Sequence, residues 1–117
     1  MLRWMCKSKI KGGKVTDKNL HYEGSITLDK KIIEKADLLP GEMVYVLNLN
    51  NGARISTYVI EGEENSGTIC LNGAAARFFE VGDEVIILSS SFLDNKEIED
   101  YKMKIVELGE NNKVKDW

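Results

Sequence analysis

The stretch GEMVYVL, residues 41–47, has a near copy in GDEVIIL, residues 82–88. Both follow the order glycine, acidic residue, any residue, valine, any residue, β-branched residue and leucine. An apolar run introduced by a glycine turn is typical of a buried strand. Two interpretations stay open: segments of this kind often look alike by chance, or the chain is a small β-barrel built from two similar halves.

Around the first copy, the chain alternates short extended segments with turns. Asn50-Asn51-Gly52 predicts a hairpin turn because Asn and Gly tolerate positive φ, and residues 54–60 form the return strand. The pattern of β-branched and apolar residues predicts further strands at 3–10, 14–16, 19–28, 68–71, 85–89 and 103–108. Many short strands separated by glycine-rich turns favour a small closed barrel.

Helices are expected at only two places. Asp29 is a suitable N-cap for a short helix that runs to about Ala36. The charged segment 94–101 can form a second one. Gly12-Gly13 is expected to break the first extended region in two.

The composition indicates a single globular domain over 1–117, with 43% hydrophobic and 30% charged residues. A formal net charge of −3 argues against a nucleic-acid partner. The chain shows neither a secretory signal nor an apolar run of membrane-spanning length, so a cytoplasmic protein without a membrane partner is expected. Cys6 and Cys70 are expected to be reduced, and one His with no CxxC pair argues against a metal site. The polar tail 109–117 is expected to be mobile.

The strand at 54–58 is the first candidate for chemistry. Arg54 and Tyr58 fall on one face of an ideal strand, and Thr57 falls on the other. An Arg fork binds a carboxylate with two hydrogen bonds, and a Tyr hydroxyl can donate a proton. Taken alone, a surface Arg and a half-buried Tyr are the simpler interpretation.

Two small-residue segments are further candidates. Gly24-Ser25 interrupts an otherwise extended stretch, so it is either a turn or a site where Ser25 attacks its own backbone. The segment 72–76, with the sequence NGAAA, is either an ordinary turn or a loop that offers unhindered backbone N–H groups to an anion.

Three of these motifs occur together: HYEGS at 21–25, NGARISTY at 51–58 and NGAAA at 72–76. In this order and spacing they resemble the aspartate 1-decarboxylase family, whose members are pyruvoyl-dependent and process themselves. The similarity covers about 1–89 and is weaker around 104–111. The resemblance implies a mainly β fold, a small double-ψ β-barrel with short helices, which agrees with the internal repeat. Family members often carry Trp where this chain has Leu47.

The resemblance implies that the chain cuts itself between Gly24 and Ser25, giving a β chain, 1–24, and an α chain, 25–117. Ser25 would then become a pyruvoyl group, with no metal and no PLP. Thr57 would hydrogen-bond the Gly24 carbonyl during this processing. Spontaneous cleavage and cleavage assisted by a maturation factor both stay open.

The resemblance also implies the reaction. The pyruvoyl group at position 25 would hold the amine of L-aspartate as a Schiff base while CO₂ leaves, and Tyr58 would donate the proton that completes β-alanine, a precursor of pantothenate and coenzyme A. The protein would be a homotetramer with active sites between subunits. Substrate-binding residues would be Lys9, Arg54, Thr57, Asn72, Gly73, Ala74 and Ala75.

Two alternatives of different kinds stay open. One is an unprocessed β-barrel that acts as a binding module. The other is a pyruvoyl-dependent decarboxylase that acts on another amino acid.

Overall fold

In the computed structural model, which describes residues 1–115, eight strands form one sheet in the order β2-β6-β3-β5-β4-β7-β1-β8. The sheet curves back on itself after β1. There the Thr16 N–H donates to the Ile69 carbonyl at 2.8 Å, and the next strand, β2, pairs with β6. This confirms the prediction of a mainly β protein built as a small barrel with short helices. The strands are β1 (Arg3–Lys14), β2 (Asp17–Asn19), β3 (Ser25–Asp29), β4 (Met43–Asn48), β5 (Arg54–Gly62), β6 (Ile69–Asn72), β7 (Glu84–Leu93) and β8 (Lys104–Glu107).

Within 1–115, two α-helices and one 3-10 helix lie between these strands, and a second 3-10 helix follows β8. They are α1 (Lys30–Lys35), α2 (Asn95–Ile98) and the 3-10 helices Gly73–Phe78 and Glu110–Asn112. The predicted cap of α1 is confirmed, since the Asp29 carboxylate accepts from the Lys31 N–H at 2.8 Å.

The two copies of the repeat are β4 and β7, which pair antiparallel with each other. The preceding glycines both have positive φ, 88° at Gly41 and 95° at Gly82. Their N–H groups make matching hydrogen bonds of 2.8 Å, to Val59 for Gly41 and to Val15 for Gly82. The repeated sequence therefore builds the same hydrogen-bonded turn twice, as expected for a barrel with two similar halves.

The acidic residue of each copy also has the same contact. The Glu42 carboxylate accepts from the Leu39 N–H at 3.2 Å, and the Asp83 carboxylate accepts from the Glu80 N–H at 2.9 Å. In both turns, the acid closes the loop by binding the N–H three residues earlier in the chain.

Strand β3 lies between β6 and β5 in the sheet. It pairs antiparallel with β6, with Ser25 opposite Asn72, and parallel with β5, with Ile26 opposite Val59. The apolar residues of β3 and β6 face a core that excludes water almost completely. Its largest members are Phe79, Ile10, Ile26, Leu28, Ile32, Ile69, Leu71 and Ile87.

The predicted strand at 19–28 is wrong in its middle. Residues 20–24 form a turn between β2 and β3 because Asn19 accepts hydrogen bonds from the N–H groups of two residues that follow it. Its side-chain oxygen accepts from His21 at 3.2 Å, and its carbonyl accepts from Tyr22 at 3.3 Å.

The predicted break at Gly12-Gly13 is also wrong, because β1 runs through both residues. The register against β7 shifts between Ile10 and Gly13, which is a bulge rather than an end. Gly12 has φ +83°, and an added Cβ would lie 2.5 Å from the Leu108 carbonyl oxygen. The glycine therefore lets the chain bend where β8 passes close by.

The C-terminal region makes definite contacts with the barrel. Asn112 is buried, and its side-chain N–H₂ donates to the carbonyls of Lys14 and Gly67, both at 2.8 Å. Residues 116–117 lie outside the described part, so the mobility expected for 109–117 as a whole stays a prediction. Across 1–115, none of the helices has the length and apolar character needed to cross a membrane.

Candidate active site

Ser25 is fully buried at the start of β3, and both sides of its hydroxyl have partners. The hydroxyl donates to the Glu23 carbonyl at 3.1 Å. It accepts from the Asn72 side-chain N–H₂ at 3.0 Å. The position and the proton of this oxygen are therefore fixed by contacts, as a nucleophile at a defined place requires.

Asn72 uses both polar atoms of its amide on one face of β3 and β6. Besides Ser25, its N–H₂ group donates to Thr27 Oγ1 at 3.0 Å, and its oxygen accepts from the Cys70 thiol at 3.3 Å. Burial raises the pKa of the Cys70 thiol, and the Asp17 carboxylate raises it further, so this thiol keeps its proton at neutral pH. The four side chains form one connected network around the Ser25 oxygen.

Gly73 packs directly against the backbone just before Ser25. It has φ +65°, and an added Cβ would lie 2.7 Å from both Cα and N of Gly24 and 3.0 Å from the Tyr22 carbonyl oxygen. Real Cβ atoms do not approach backbone so closely. Only a glycine therefore fits at position 73 without a shift of the neighbouring backbone.

Gly24 itself is under no such constraint. It does not have positive φ, and a Cβ added to it would meet nothing within 4 Å. The motif predicts Gly24 as part of the processing site, but in this structure neither crowding nor left-handed backbone explains the glycine.

An open cleft of about 440 Å³ lies beside Gly24. Its walls bring together several predicted site residues, although Thr57 and Tyr58 alternate along β5. The Thr57 hydroxyl makes no hydrogen bond to the Gly24 carbonyl within 1–115. The residues that line the cleft are Gly24, Met43, Ile55, Ser56, Thr57, Tyr58, Ala74, Ala75 and Phe78.

Arg54 lies elsewhere, in a separate cleft of about 170 Å³. Its guanidinium lies over the Tyr45 ring, 5.3 Å from the ring centre, and that ring lies 6.1 Å from the Trp4 ring. This is a cation–π contact, which holds the charged group against the sheet. Arg54 is exposed, so its fork remains accessible.

Lys9 shares the outer face of the sheet with Arg54. On β1 it lies opposite Leu88 of β7, and Leu88 in turn lies opposite Tyr45 of β4. Neither Lys9 nor Arg54 lines the cleft beside Gly24. The structure therefore divides the predicted residues into three groups. Asn72 and Gly73 contact Ser25 and the backbone just before it. The other two groups are the cleft set (Gly24, Thr57, Tyr58, Ala74 and Ala75) and the cationic set on the outer face (Lys9 and Arg54).

Three contacts of this site were missed by the sequence interpretation. Thr27 and Cys70 join the Asn72 network, and Tyr45 supports Arg54. A period of two is visible in Ser25-x-Thr27 and Cys70-x-Asn72, but it connects to the site only once β3 is paired with β6. No group of three His, Cys, Asp or Glu residues within 1–115 is arranged to hold a metal ion.

Comparison with known proteins adds a family to this geometry. The family model described as aspartate decarboxylase matches residues 1–115. An aspartate 1-decarboxylase of Thermoanaerobacter pseudethanolicus is 58% identical over 113 residues, which are 97% of this chain and 97% of that protein. An aspartate 1-decarboxylase of Staphylococcus aureus is 50% identical over 114 residues, which are 97% of this chain and 90% of that protein. The match extends over the whole barrel, including the Ser25 network and the cleft, and the chain therefore belongs to the aspartate decarboxylase family.

Proposed function

We propose that this chain decarboxylates L-aspartate to β-alanine, using a pyruvoyl group made from its own Ser25 after cleavage at Gly24. The product would serve the synthesis of pantothenate and coenzyme A. The observation that carries the proposal is the Ser25 hydroxyl, which is buried, held from two sides and adjacent in the chain to a residue that lines an open cleft.

Cleavage needs only Ser25, its neighbour and water. Ser25 Oγ bonds to the Gly24 carbonyl carbon, the bond from that carbon to the Ser25 nitrogen breaks, and the hydroxyl proton ends on that nitrogen. Loss of the Ser25 α-proton then expels the Gly24 carboxylate from Cβ and leaves dehydroalanine. The imine form of dehydroalanine takes up water and releases ammonia, which leaves a pyruvoyl group on the chain 25–117 and a carboxyl end on 1–24.

The contacts of the uncut chain support the first of these steps. The Asn72 N–H₂ donates to Ser25 Oγ, so it can stabilise negative charge that develops there as the proton leaves. Thr57 lines the same cleft as Gly24, and its hydroxyl would donate to the Gly24 carbonyl during the attack. Gly73 provides the backbone surface against which Gly24 rests.

The residues of the cleft fit a small substrate beside position 25. A pyruvoyl group there would supply a carbonyl that bonds the substrate amine and accepts the electron pair released with CO₂. Tyr58 lines the same cleft and would donate the proton to the substrate carbon. Ala74 and Ala75 also line the cleft, and their small side chains leave space for a substrate.

One copy of the chain does not complete a site for a dicarboxylate. None of the residues that line the Gly24 cleft carries a positive charge, whereas aspartate brings two carboxylates. Arg54 and Lys9 lie on the outer face, where a second copy could receive them. We therefore propose a homotetramer in which the cationic set of one copy binds the substrate held in the cleft of its neighbour.

The first test is intact mass and product analysis. The purified chain is warmed, with and without an extract that contains any maturation factor, and its mass is followed. We expect two chains, with the larger lighter by one ammonia than a chain produced by simple hydrolysis before Ser25. The cleaved material should release CO₂ from L-aspartate and not from L-glutamate or other amino acids.

Ser25→Ala is the control and should stay a single inactive chain. A wild-type chain that remains uncut in both conditions and releases no CO₂ would reject the proposal in favour of an unprocessed binding module. Release of CO₂ from another amino acid alone would keep the chemistry and reject the substrate.

Mixing two inactive variants tests the shared site. Ser25→Ala lacks the reactive group, and Arg54→Ala should be cut normally but lack the carboxylate-binding fork. If each site takes Arg54 from a neighbour, refolding the two variants together should restore activity at some interfaces. No restored activity, with mixed assemblies shown by mass spectrometry, would mean that Arg54 acts within its own chain.

A further inference from the structure

We infer that Cys70 is a positioning residue for cleavage: its thiol proton fixes the orientation of the Asn72 amide so that the N–H₂ group, and not the oxygen, faces Ser25. This inference rests on the proposed self-cleavage and assigns it one more residue. The 3.3 Å thiol–oxygen contact and the two 3.0 Å contacts of the N–H₂ group carry it together.

The orientation of an Asn amide is decided by its partners because its two ends are nearly the same size. Here the Ser25 proton is already used on the Glu23 carbonyl, so Ser25 Oγ can only accept from Asn72. On the opposite side, the Cys70 thiol donates to the amide oxygen. The two contacts favour the same orientation, and Cys70 is the donor that stabilises the oxygen where it points away from Ser25.

Loss of this donor has a specific consequence. Asn72 is buried, so its oxygen would lose its only hydrogen bond within 1–115 and would gain by rotating toward a hydroxyl. A rotated amide would present an acceptor to Ser25, draw the serine proton away from the Glu23 carbonyl and no longer stabilise charge on Ser25 Oγ. Cleavage should slow while the fold persists.

Cys70 remains protonated under ordinary conditions, which the inference needs. Burial raises the pKa of its thiol first, and the carboxylate of Asp17 acts in the same direction. Cys70 is also half-buried opposite Thr27, its partner across β3 and β6, so it is held in place by strand pairing.

The experiment measures the rate at which uncut chain disappears in wild type and three variants. Cys70→Val removes the donor with little change of volume, and it should slow cleavage by about tenfold, a barrier increase of about 1.4 kcal/mol. Cys70→Ser restores a donor and should cleave within about twofold of wild type. Cys6→Val changes the other half-buried cysteine, whose thiol donates to the Ser8 carbonyl on β1, and should leave the cleavage rate unchanged.

A double-mutant cycle separates positioning from general destabilisation. If Cys70 acts through Asn72, Cys70→Val should cause no additional slowing in an Asn72→Ala background. Equal rates for wild type and Cys70→Val, or an undiminished effect in that background, would overturn the inference. If Asn72→Ala abolishes cleavage, the cycle cannot be completed, and the inference is then tested by comparing Cys70→Ser with Cys70→Val. A Cys70→Ser chain that cleaves as slowly as Cys70→Val would overturn the inference. A wild-type chain that never cleaves would instead reject the proposed function.

Discussion

Asp29 and Asn72 occupy matching positions at the ends of two paired strands and have different tasks. Each is the last residue of its strand, β3 or β6, each is buried, and each immediately precedes a helical segment. The Asp29 carboxylate accepts from three backbone N–H groups: Lys31 at 2.8 Å, Asn65 at 3.0 Å and Gly67 at 2.9 Å. Asn72 caps nothing with its side chain and instead contacts Ser25, Thr27 and Cys70.

The chemistry of the two side chains explains this division. An ionised carboxylate only accepts, so it suits a place where loop N–H groups converge. An amide both donates and accepts, so it can hold a serine hydroxyl on one side and be oriented by a thiol on the other. One strand end therefore serves stability, and the equivalent end of the neighbouring strand serves the candidate active site.

The largest effect should come from Asp29→Ala. Removing the carboxylate leaves three N–H groups without their acceptor, which should lower the free energy of unfolding by about 3–5 kcal/mol. Urea unfolding at fixed protein concentration measures this, and the Ser25→Ala chain provides a uniform uncut background. Asp29→Asn should lose less because one oxygen remains. A loss as small as that expected for Asn72→Ala would mean that the two strand ends do not differ in stability.

Gly73→Ala should come next and should act on cleavage. The new Cβ would need the place held by Cα and N of Gly24, so the segment before Ser25 must move, and cleavage should slow by about a hundredfold or more, equal to about 2.7 kcal/mol. Gly24→Ala is the matched control for the stability of the uncut chain. Its new Cβ would meet open space, so the free energy of unfolding should not change. Rapid cleavage of Gly73→Ala would show that this close approach is not needed.

Asn72→Ala should have an effect of intermediate size. Unlike Asp29→Ala, it should affect the rate of cleavage more than the stability of the fold. It removes a neutral hydrogen-bond donor from Ser25, so cleavage should slow by about tenfold while unfolding free energy falls by only about 1–2 kcal/mol. Both are measured on the same preparation, by intact mass over time and by urea unfolding. A large stability loss with normal cleavage would assign Asn72 a structural task like that of Asp29.

How well the sequence predicts a contact depends on the distance along the chain. The Asp29 cap is predictable because its partner Lys31 is two residues away, and the hairpin at Asn50-Asn51-Gly52 because a turn between two strands is local. The resemblance of three motifs supplies the prediction that Ser25 is the reactive residue.

The long-range contacts of Ser25 could not be predicted in this way. Asn72 lies 47 residues further along the chain, and its role as a partner of Ser25 depends on the antiparallel register of β3 with β6. The same register brings Cys70 opposite Thr27. Local patterns predict strands but do not choose which strands pair, so the network and the need for glycine at Gly73 became visible only in three dimensions.

The smallest effect should be at the repeated turns, where Asp83 and Glu42 close matching loops. The Glu80 N–H donates to the Asp83 carboxylate and is the main reason why its pKa lies below the ordinary value. A hydrogen bond from the Asn48 side chain lowers this pKa further, and burial opposes both with a smaller effect. A carboxylate whose pKa is lower in the folded than in the unfolded chain stabilises the fold. This stabilisation is fully present at pH values above the pKa of that carboxylate in the unfolded chain. This contribution is lost as pH falls through the folded pKa.

Asp83→Asn should therefore lower the unfolding temperature modestly at pH 7, and its difference from wild type should shrink as the pH falls into the range where the native carboxylate takes up its proton. Glu64→Gln is the control, because Glu64 is an exposed loop carboxylate with no hydrogen bond within 1–115. Thermal unfolding at constant ionic strength measures both variants across the acidic range. A difference that stays constant with pH would mean that the loop depends on the shape of the Asp83 side chain and not on its charge.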